Sequence, residues 1–281
     1  MDYGQPVRFG AFVTPEATDR PLRLAAIADE LGFDVVGVQD HPYQRRFYDT
    51  WTLLTAMAMR TERITVFPDV ANLPLRPPAM LAKAAATLDI LSGGRLELGL
   101  GAGGFWEAIK AYGGPTRTAG ESVSALEEAI QVIRLLWSGQ HGVRFDGDYY
   151  SLAGANSGPV PAHPIGIWLG AYRPRMLSII GRLADGWVPS LGYVKAPDLL
   201  EGNRRIDEAA TAAGRDPKSI RRLLNAGSLD AEALVALVLE YGMDTFLVTD
   251  DPDEMRTFMS EVAPRVREKV ETGRSRRASE V

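Results

Sequence analysis

Three clusters of residues in this chain could do chemistry. The first is the run of Gly99, Gly101, Gly103 and Gly104. Four glycines in six positions exceed the need of a turn. Missing side chains let a ligand come against the backbone, and free N–H groups can face an anion. The run satisfies G-x-G-x-x-G formally. No strand ending in an acidic residue follows about 20 residues later, as a dinucleotide site requires. Tight packing of strand against loop is the competing reading.

The second cluster is GAYRPR at 170–175, which leaves a strand and enters a helix. Amide groups at such a helix start, with Arg173 and Arg175 nearby, suit a phosphate. A capped loop with solvated arginines is the plainer alternative. The third is the pair Asp40-His41, directly after a strand. His141 and His163, the other histidines, fall outside the strand ends. Polar residues at the carboxyl ends of barrel strands are where catalytic groups come from. Trp106, Trp168, Trp187, Tyr43, Phe47, Tyr48 and Tyr172 also fall near strand ends. They serve the core in part and an apolar pocket for a flat ring in part. No His-x-x-x-His or carboxylate cluster with ligand spacing points to a metal, and no nucleophile elbow to a Ser–His–Asp enzyme.

The elements that must hold these residues read as alternating strands and helices. Apolar runs at 8–13, 33–38, 63–70, 95–100, 165–169, 186–189, 220–225 and 246–249 predict eight strands. The run at 33–38 is nearly all apolar, as a strand buried on both faces of a parallel sheet is, whereas 95–100 alternates before turning apolar and 220–225 is the weaker strand. Pro68 inside the third run removes a ladder donor, so a bulge is expected there. Helical periodicity fills the intervals at 21–31, 51–59, 79–91, 174–183, 197–213, 230–241 and 252–270. The rhythm breaks over 104–164. A helix spans 118–138, capped by Thr118 or Ser122, and a hairpin at 143–152 turns at Asp146-Gly147. The predicted fold is α/β, an eight-stranded (β/α)8 barrel with an inserted helix and hairpin after strand four. It is read as a single domain over 1–271, with 272–281 a polar, frayed tail.

The composition excludes several classes. The chain has 281 residues, 46% hydrophobic and 24% charged, with net charge −5 and no cysteine. A sizeable core is available. Nucleic-acid binding by overall charge, thiol catalysis and Cys-ligated metals are excluded. The N-terminus lacks the pattern of a secretory signal, and no run approaches the roughly 20 apolar residues of a membrane span. A cytoplasmic protein is expected.

Longer motifs carry a family resemblance. Asn72-Leu73-Pro74-Leu75-Arg76-Pro77-Pro78, then AKAAATLDILSGGRLELGLGAG, then HPIGIWLGAYRPRM…ADGW, resemble the luciferase-like monooxygenase superfamily over about residues 8–270. The resemblance implies coenzyme F420 or, alternatively, FMN at the strands' carboxyl ends. An Asp-His pair after strand two is similar to the F420-using branch. By that resemblance Asp40 would bond the ring system and His41 would lie near the hydride-transfer carbon. A non-proline cis peptide would fall at Asp69–Val70, with Asn72 at the pyrimidine edge. Gly101, Ala102, Gly103, Gly104, Gly170, Ala171, Tyr172, Arg173 and Ser190 would contact the cofactor.

The same resemblance implies a homodimer acting on a small organic substrate. Hydride transfer is the leading expectation, oxygen-using monooxygenation with FMN its alternative, and a flavin-binding protein without turnover a third. Two departures stand out. Gly104 takes the place of the general-acid Glu of the branch's sugar-phosphate dehydrogenases, and Tyr193 that of their phosphate-binding Lys. The interval between strand seven and Asp230 is also shorter than the family's.

Overall fold

A computed structural model of the chain describes residues 1–279. The apolar runs become strands and the amphipathic intervals become helices. In order these are β1 (Arg8–Val13), α1 (Arg20–Leu31), β2 (Val35–Val38), α2 (Thr50–Ala58), β3 (Thr65–Pro68) and β4 (Ala71–Asn72). There follow α3 (Pro78–Ser92), β5 (Leu98–Gly101), α4 (Trp106–Ala111), α5 (Ala119–Trp137), β6 (Val143–Asp146) and β7 (Ser151–Ala155). Then come β8 (Ile167–Leu169), α6 (Pro174–Leu183), β9 (Gly186–Trp187), α7 (Ala196–Ala212) and β10 (Arg221–Asn225). The chain finishes with α8 (Ala231–Leu239), β11 (Thr245–Leu247), α9 (Pro252–Thr257) and α10 (Ala263–Ser279).

Nine parallel segments run β3-β2-β1-β11-β10-β9-β8-β5-β4. The two end segments, β3 and β4, are consecutive in sequence. They are the two halves of one interrupted third strand, so the count reduces to eight and the sheet is a nearly closed barrel. β3 pairs with β2 and β4 with β5, and a parallel bridge Val66–Leu96 spans the seam. The interruption falls where Pro68 breaks the ladder. The Asp69–Val70 peptide that follows is cis.

The barrel interior is filled by Val35, Phe67, Trp168, Val188, Leu223 and Leu247, with Phe67 and Trp168 edge to face at 4.9 Å. The larger apolar cluster lies between strands and helices. Trp168 and Trp187 therefore belong to the core.

The expected insertion is present. Thr118 alone caps α5, in a reciprocal capping box with Glu121. Ser122 instead donates to the Thr118 carbonyl. β6 and β7 form the hairpin. The short helix α4 was not expected; its six residues are too few for a periodic signal. The expected frayed tail is corrected as well. The last helix runs through a π-helical turn at Phe258–Val262 and on to Ser279. Arg274 anchors it by two bonds to the Asp2 carboxylate. Glu280 and Val281 of that expected tail lie outside the described residues. Among the described residues no helix is long and apolar enough to cross a membrane.

Candidate active site

The loops after the strands enclose a cavity of about 620 Å³ at the carboxyl end of the barrel. That size suits a cofactor or a drug-sized ligand. It gathers Asp40, His41, Asp69, Val70, Asn72, Gly101, Ala102, Gly103, Gly104, Gly170, Ala171, Tyr172, Arg173 and Ser190. All three sequence clusters thus meet in one place, because parallel strands deliver their following loops to the same face.

The glycines divide by role. A Cβ on Gly99 would lie 1.9 Å from the Pro68 carbonyl oxygen, and one on Gly101 2.7 Å from Val70. These two let β5 close against the broken third strand. Gly170 likewise faces Val70. Gly103 has φ +100° and makes the turn out of the strand. Gly104 alone of the four borders open space. The packing reading therefore holds for Gly99 and Gly101, and an open backbone for Gly104.

Asp40 is buried at the end of β2. It accepts from Arg76 Nε at 2.6 Å, Arg76 Nη2 at 2.8 Å and the Asn72 N–H at 2.9 Å. Arg76 also donates to Asp49 at 2.6 Å, and Asp49 caps α2. Burial works against the charge on Arg76. The bonds to Asp40, then Asp49, more than offset it and raise its pKa. Arg76 lies inside the Asn72–Pro78 motif, and its pairing with Asp40 is not legible there. The signal available was a lone cation four residues beyond the polar cavity residue Asn72.

His41 is half-buried, and its Nδ1 lies 2.7 Å from the Tyr43 hydroxyl. Its ring meets Phe105 edge to face at 5.4 Å. Burial lowers the His41 pKa against the pull of Asp40, so the imidazole is neutral at pH 7. Burial, then the Asp40 charge, pushes Tyr43 up to about 12. With Nδ1 engaged, Nε2 is the nitrogen free to hold or accept a proton.

The floor is polar. Asp69 Oδ2, Asn72 Oδ1 and Asn225 Oδ1 are buried and have no hydrogen-bond partner. Asn225 Nδ2 donates to Ser190 Oγ at 3.0 Å. Burial pushes the Asp69 carboxyl up to about 7, with Asn225 pulling the other way. Asn225 was missed from sequence, although it ends β10 where barrel strands present working residues. Unpartnered buried atoms at a cavity floor fit a ligand with a polar edge.

Tyr172 and Tyr193 sit at the rim with rings 5.6 Å apart, beside the exposed Arg173. Burial raises the Tyr172 pKa. Arg175 turns away, donating to the Gly120 carbonyl and Ser124 on α5. Of the two arginines only Arg173 reaches the cavity. Tyr43 and Trp106 line it, whereas Phe47 and Tyr48 do not. His163 is held far off by Asp89 at 2.7 Å. No group of three or more metal-ligating side chains occurs among the described residues.

Comparison with known proteins gives consistent neighbours. The family model described as luciferase-like monooxygenase matches residues 5–228. An F420-dependent glucose-6-phosphate dehydrogenase of Intrasporangium calvum is 34% identical over 222 residues, 74% of this chain and 64% of that protein. A 5,10-methylenetetrahydromethanopterin reductase of Methanolobus tindarius is 32% identical over 250 residues, 86% of this chain and 71% of that protein. Among solved structures, an F420-dependent secondary alcohol dehydrogenase matches with TM-score 0.81 and 21% identity, covering 93% of this chain and 99% of the other. A long-chain alkane monooxygenase matches with TM-score 0.80 and 15% identity, covering 94% and 92%. The structural matches show the fold. The chain spans somewhat under two thirds of the length of the first of these curated relatives.

Proposed function

This chain belongs to the luciferase-like monooxygenase family, and from that premise we propose that it is a coenzyme F420-dependent oxidoreductase acting on a small organic substrate. The observation that carries the reading is the cavity floor, where Asp69, Asn72 and Asn225 hold buried polar atoms with no partner beneath apolar and aromatic walls. A flat ring with a polar edge would satisfy those atoms and fill those walls. Relatives named as F420-dependent, at 34% identity, and the Asp40-His41 pair favour the deazaflavin.

When bound, the deazaflavin supplies the carbon that accepts or gives the hydride. The chain's own residues do the rest. Asn72 and Asn225 orient the polar edge. Gly104 leaves the backbone bare, and Arg173 with the first turn of α6 faces the phosphate. Asp40 and Arg76 lock the β2 loop and so fix His41. His41, neutral at pH 7, takes the proton from a substrate hydroxyl at Nε2, or returns it. The Tyr43 hydroxyl on Nδ1 adjusts as the ring changes tautomer.

Titration of the purified protein with F420 and with FMN, followed by fluorescence, tests this. Tighter binding of F420, weakened about tenfold or more by Asn72→Ala, is the expected result. A preference for FMN would move the chain to oxygen-using chemistry, and binding of neither would sink the proposal.

A homodimer is part of the same reading. Met80, Ile90 and Leu91 stand exposed on α3, and Met59 just beyond α2, exposed apolar side chains that support self-association. Sedimentation velocity of Met80→Glu/Leu91→Glu should show a monomer where the parent chain sediments as a dimer.

A further inference from the structure

The interrupted third strand places a carboxyl group where the cavity has no cation to meet it. Asp69 follows Pro68, and its N–H is tied to the Val38 carbonyl at 2.7 Å. Its side chain points into the cavity beside Asn225 at the end of β10. Asp69 Oδ2 has no partner, and neither has Asn225 Oδ1. Asn225 gives one amide N–H to Ser190 Oγ, and its side chain also acts on Asp69 as a donor, the pull that opposes burial.

The groups lining the same cavity offer no charge compensation. On β2 and its loop, Asp40 is acidic and His41 is bonded to Tyr43. Arg76, which reaches Asp40, is committed to two carboxylates. β5, its loop and α5 contribute no charged lining side chain. The β8 and β9 loops bring the Tyr172 and Tyr193 hydroxyls and, at the exposed rim, Arg173. The one neutral donor that Asn225 offers is too little for a carboxylate buried on this floor. A proton on Asp69 removes the uncompensated charge and turns the unpartnered Oδ2 into a donor facing the cavity.

We propose that Asp69 stands as a neutral carboxylic acid at the cavity floor and donates its one proton in a hydrogen bond to an acceptor atom on the polar edge of the bound ring. Burial raises the Asp69 pKa to about 7, in agreement with that geometry. Among polar side chains on the floor, Asp69 then differs in being a donor that pH can remove. A donor there favours the form of the ring whose edge carries more negative charge. The donation to a ring rests on the function proposed above, whereas the protonation of Asp69 does not.

Difference infrared spectra of the protein alone, recorded at about pH 5.5 and about pH 8.5, read the protonation directly. The expected result is a carboxylic-acid C=O band in the parent chain that is lost with a midpoint near 7. The band should be absent from Asp69→Asn and from Asp69→Ser. A parent spectrum without the band, or a band that survives both substitutions, would overturn the proposal.

Fluorescence titrations with F420 and FMN across the same range read the donation. The parent chain should lose about tenfold in affinity per pH unit above the midpoint. Asp69→Asn, which keeps a donor, should bind with little pH dependence. A parent profile as flat as that of Asp69→Asn would overturn the donation. Failure of both rings to bind would remove the ring-binding reading and the donation with it, and the infrared result would still decide the state of Asp69.

Discussion

Arg76 grips Asp40 with two nitrogens. Nε lies 2.6 Å from one carboxylate oxygen and Nη2 2.8 Å from the other, and the Asp40 side chain is wholly buried. The two residues come from separate β/α units, so their pairing sets the loop after β2 against the turn after β4. His41 sits next to Asp40 and Asn72 four residues before Arg76. The ion pair therefore holds both walls of the cavity in register.

Removing one partner of such a pair should be costly. Arg76→Ala leaves a buried carboxylate without its cation and should lower stability by about 3–5 kcal/mol. Arg76→Lys offers a single point charge in place of a planar fork and should recover only part of that. The double variant Arg76→Met/Asp40→Asn should be more stable than Arg76→Ala, because no charge is left stranded. Urea unfolding monitored by tryptophan fluorescence checks the order.

The glycine run should separate into two kinds of position. Gly99→Ala puts a methyl into the Pro68 carbonyl, a backbone atom that cannot swing aside. It should cost about 1–3 kcal/mol or prevent folding. Gly104→Ala meets nothing within 4 Å and does not need a positive φ. Its stability should stay within about 0.5 kcal/mol of the parent. Equal melting temperatures for the two variants would contradict this division.

His163 should make stability depend on pH away from the cavity. Glu97, and then Asp89, raise its pKa above 6.5 against the opposing effect of burial. A raised pKa means the folded chain binds the proton more tightly than the unfolded chain. The contribution is fully present below pH 6.5 and is lost as pH rises through the folded-state value. The melting-temperature difference between the parent chain and His163→Gln should thus be largest near pH 6 and shrink toward pH 9. A difference that grows with pH would show that the sign is wrong.

Glucose 6-phosphate, the substrate named for one relative, should not be turned over by this chain. Among the residues lining the cavity the one lysine or arginine is Arg173, which the proposed cofactor phosphate occupies. Tyr193 stands 77% exposed at the rim, an aromatic ring in a position that offers no charge to a second phosphate. Gly104 provides no acid. Incubation with F420 and glucose 6-phosphate should leave the deazaflavin absorbance unchanged, while Tyr193→Lys/Gly104→Glu should bring measurable binding of the sugar phosphate.

Much of this architecture could be read from local residues. The strands at Arg8–Val13 and Val35–Val38 are mostly apolar runs, and α6 at Pro174–Leu183 has both its opening proline and its apolar face in sequence. Pro68 marks the break in strand three. Glycines after β5 and the polar pair after β2 lay at strand ends, and a parallel barrel brings all strand ends to one rim. Periodicity and strand polarity are properties of neighbouring residues, so sequence alone determined the fold and the face that holds the site.

Tertiary structure decided which residues touch. Arg76 and Asp40 are 36 positions apart, and Asp69 and Asn225 come from opposite sides of the barrel. No spacing rule links such residues, because their distance depends on closure of the whole ring of strands. The same holds for Gly99, whose missing side chain answers to the Pro68 carbonyl and not to a ligand. The tail misled for a related reason. Residues 272–279 have weak helical amphipathy of their own, and Arg274 becomes ordered through Asp2 at the other end of the chain. Burial, too, emerges only on folding. An aspartate in sequence reads as a charge, and only its burial in the folded chain raises the Asp69 pKa to about 7.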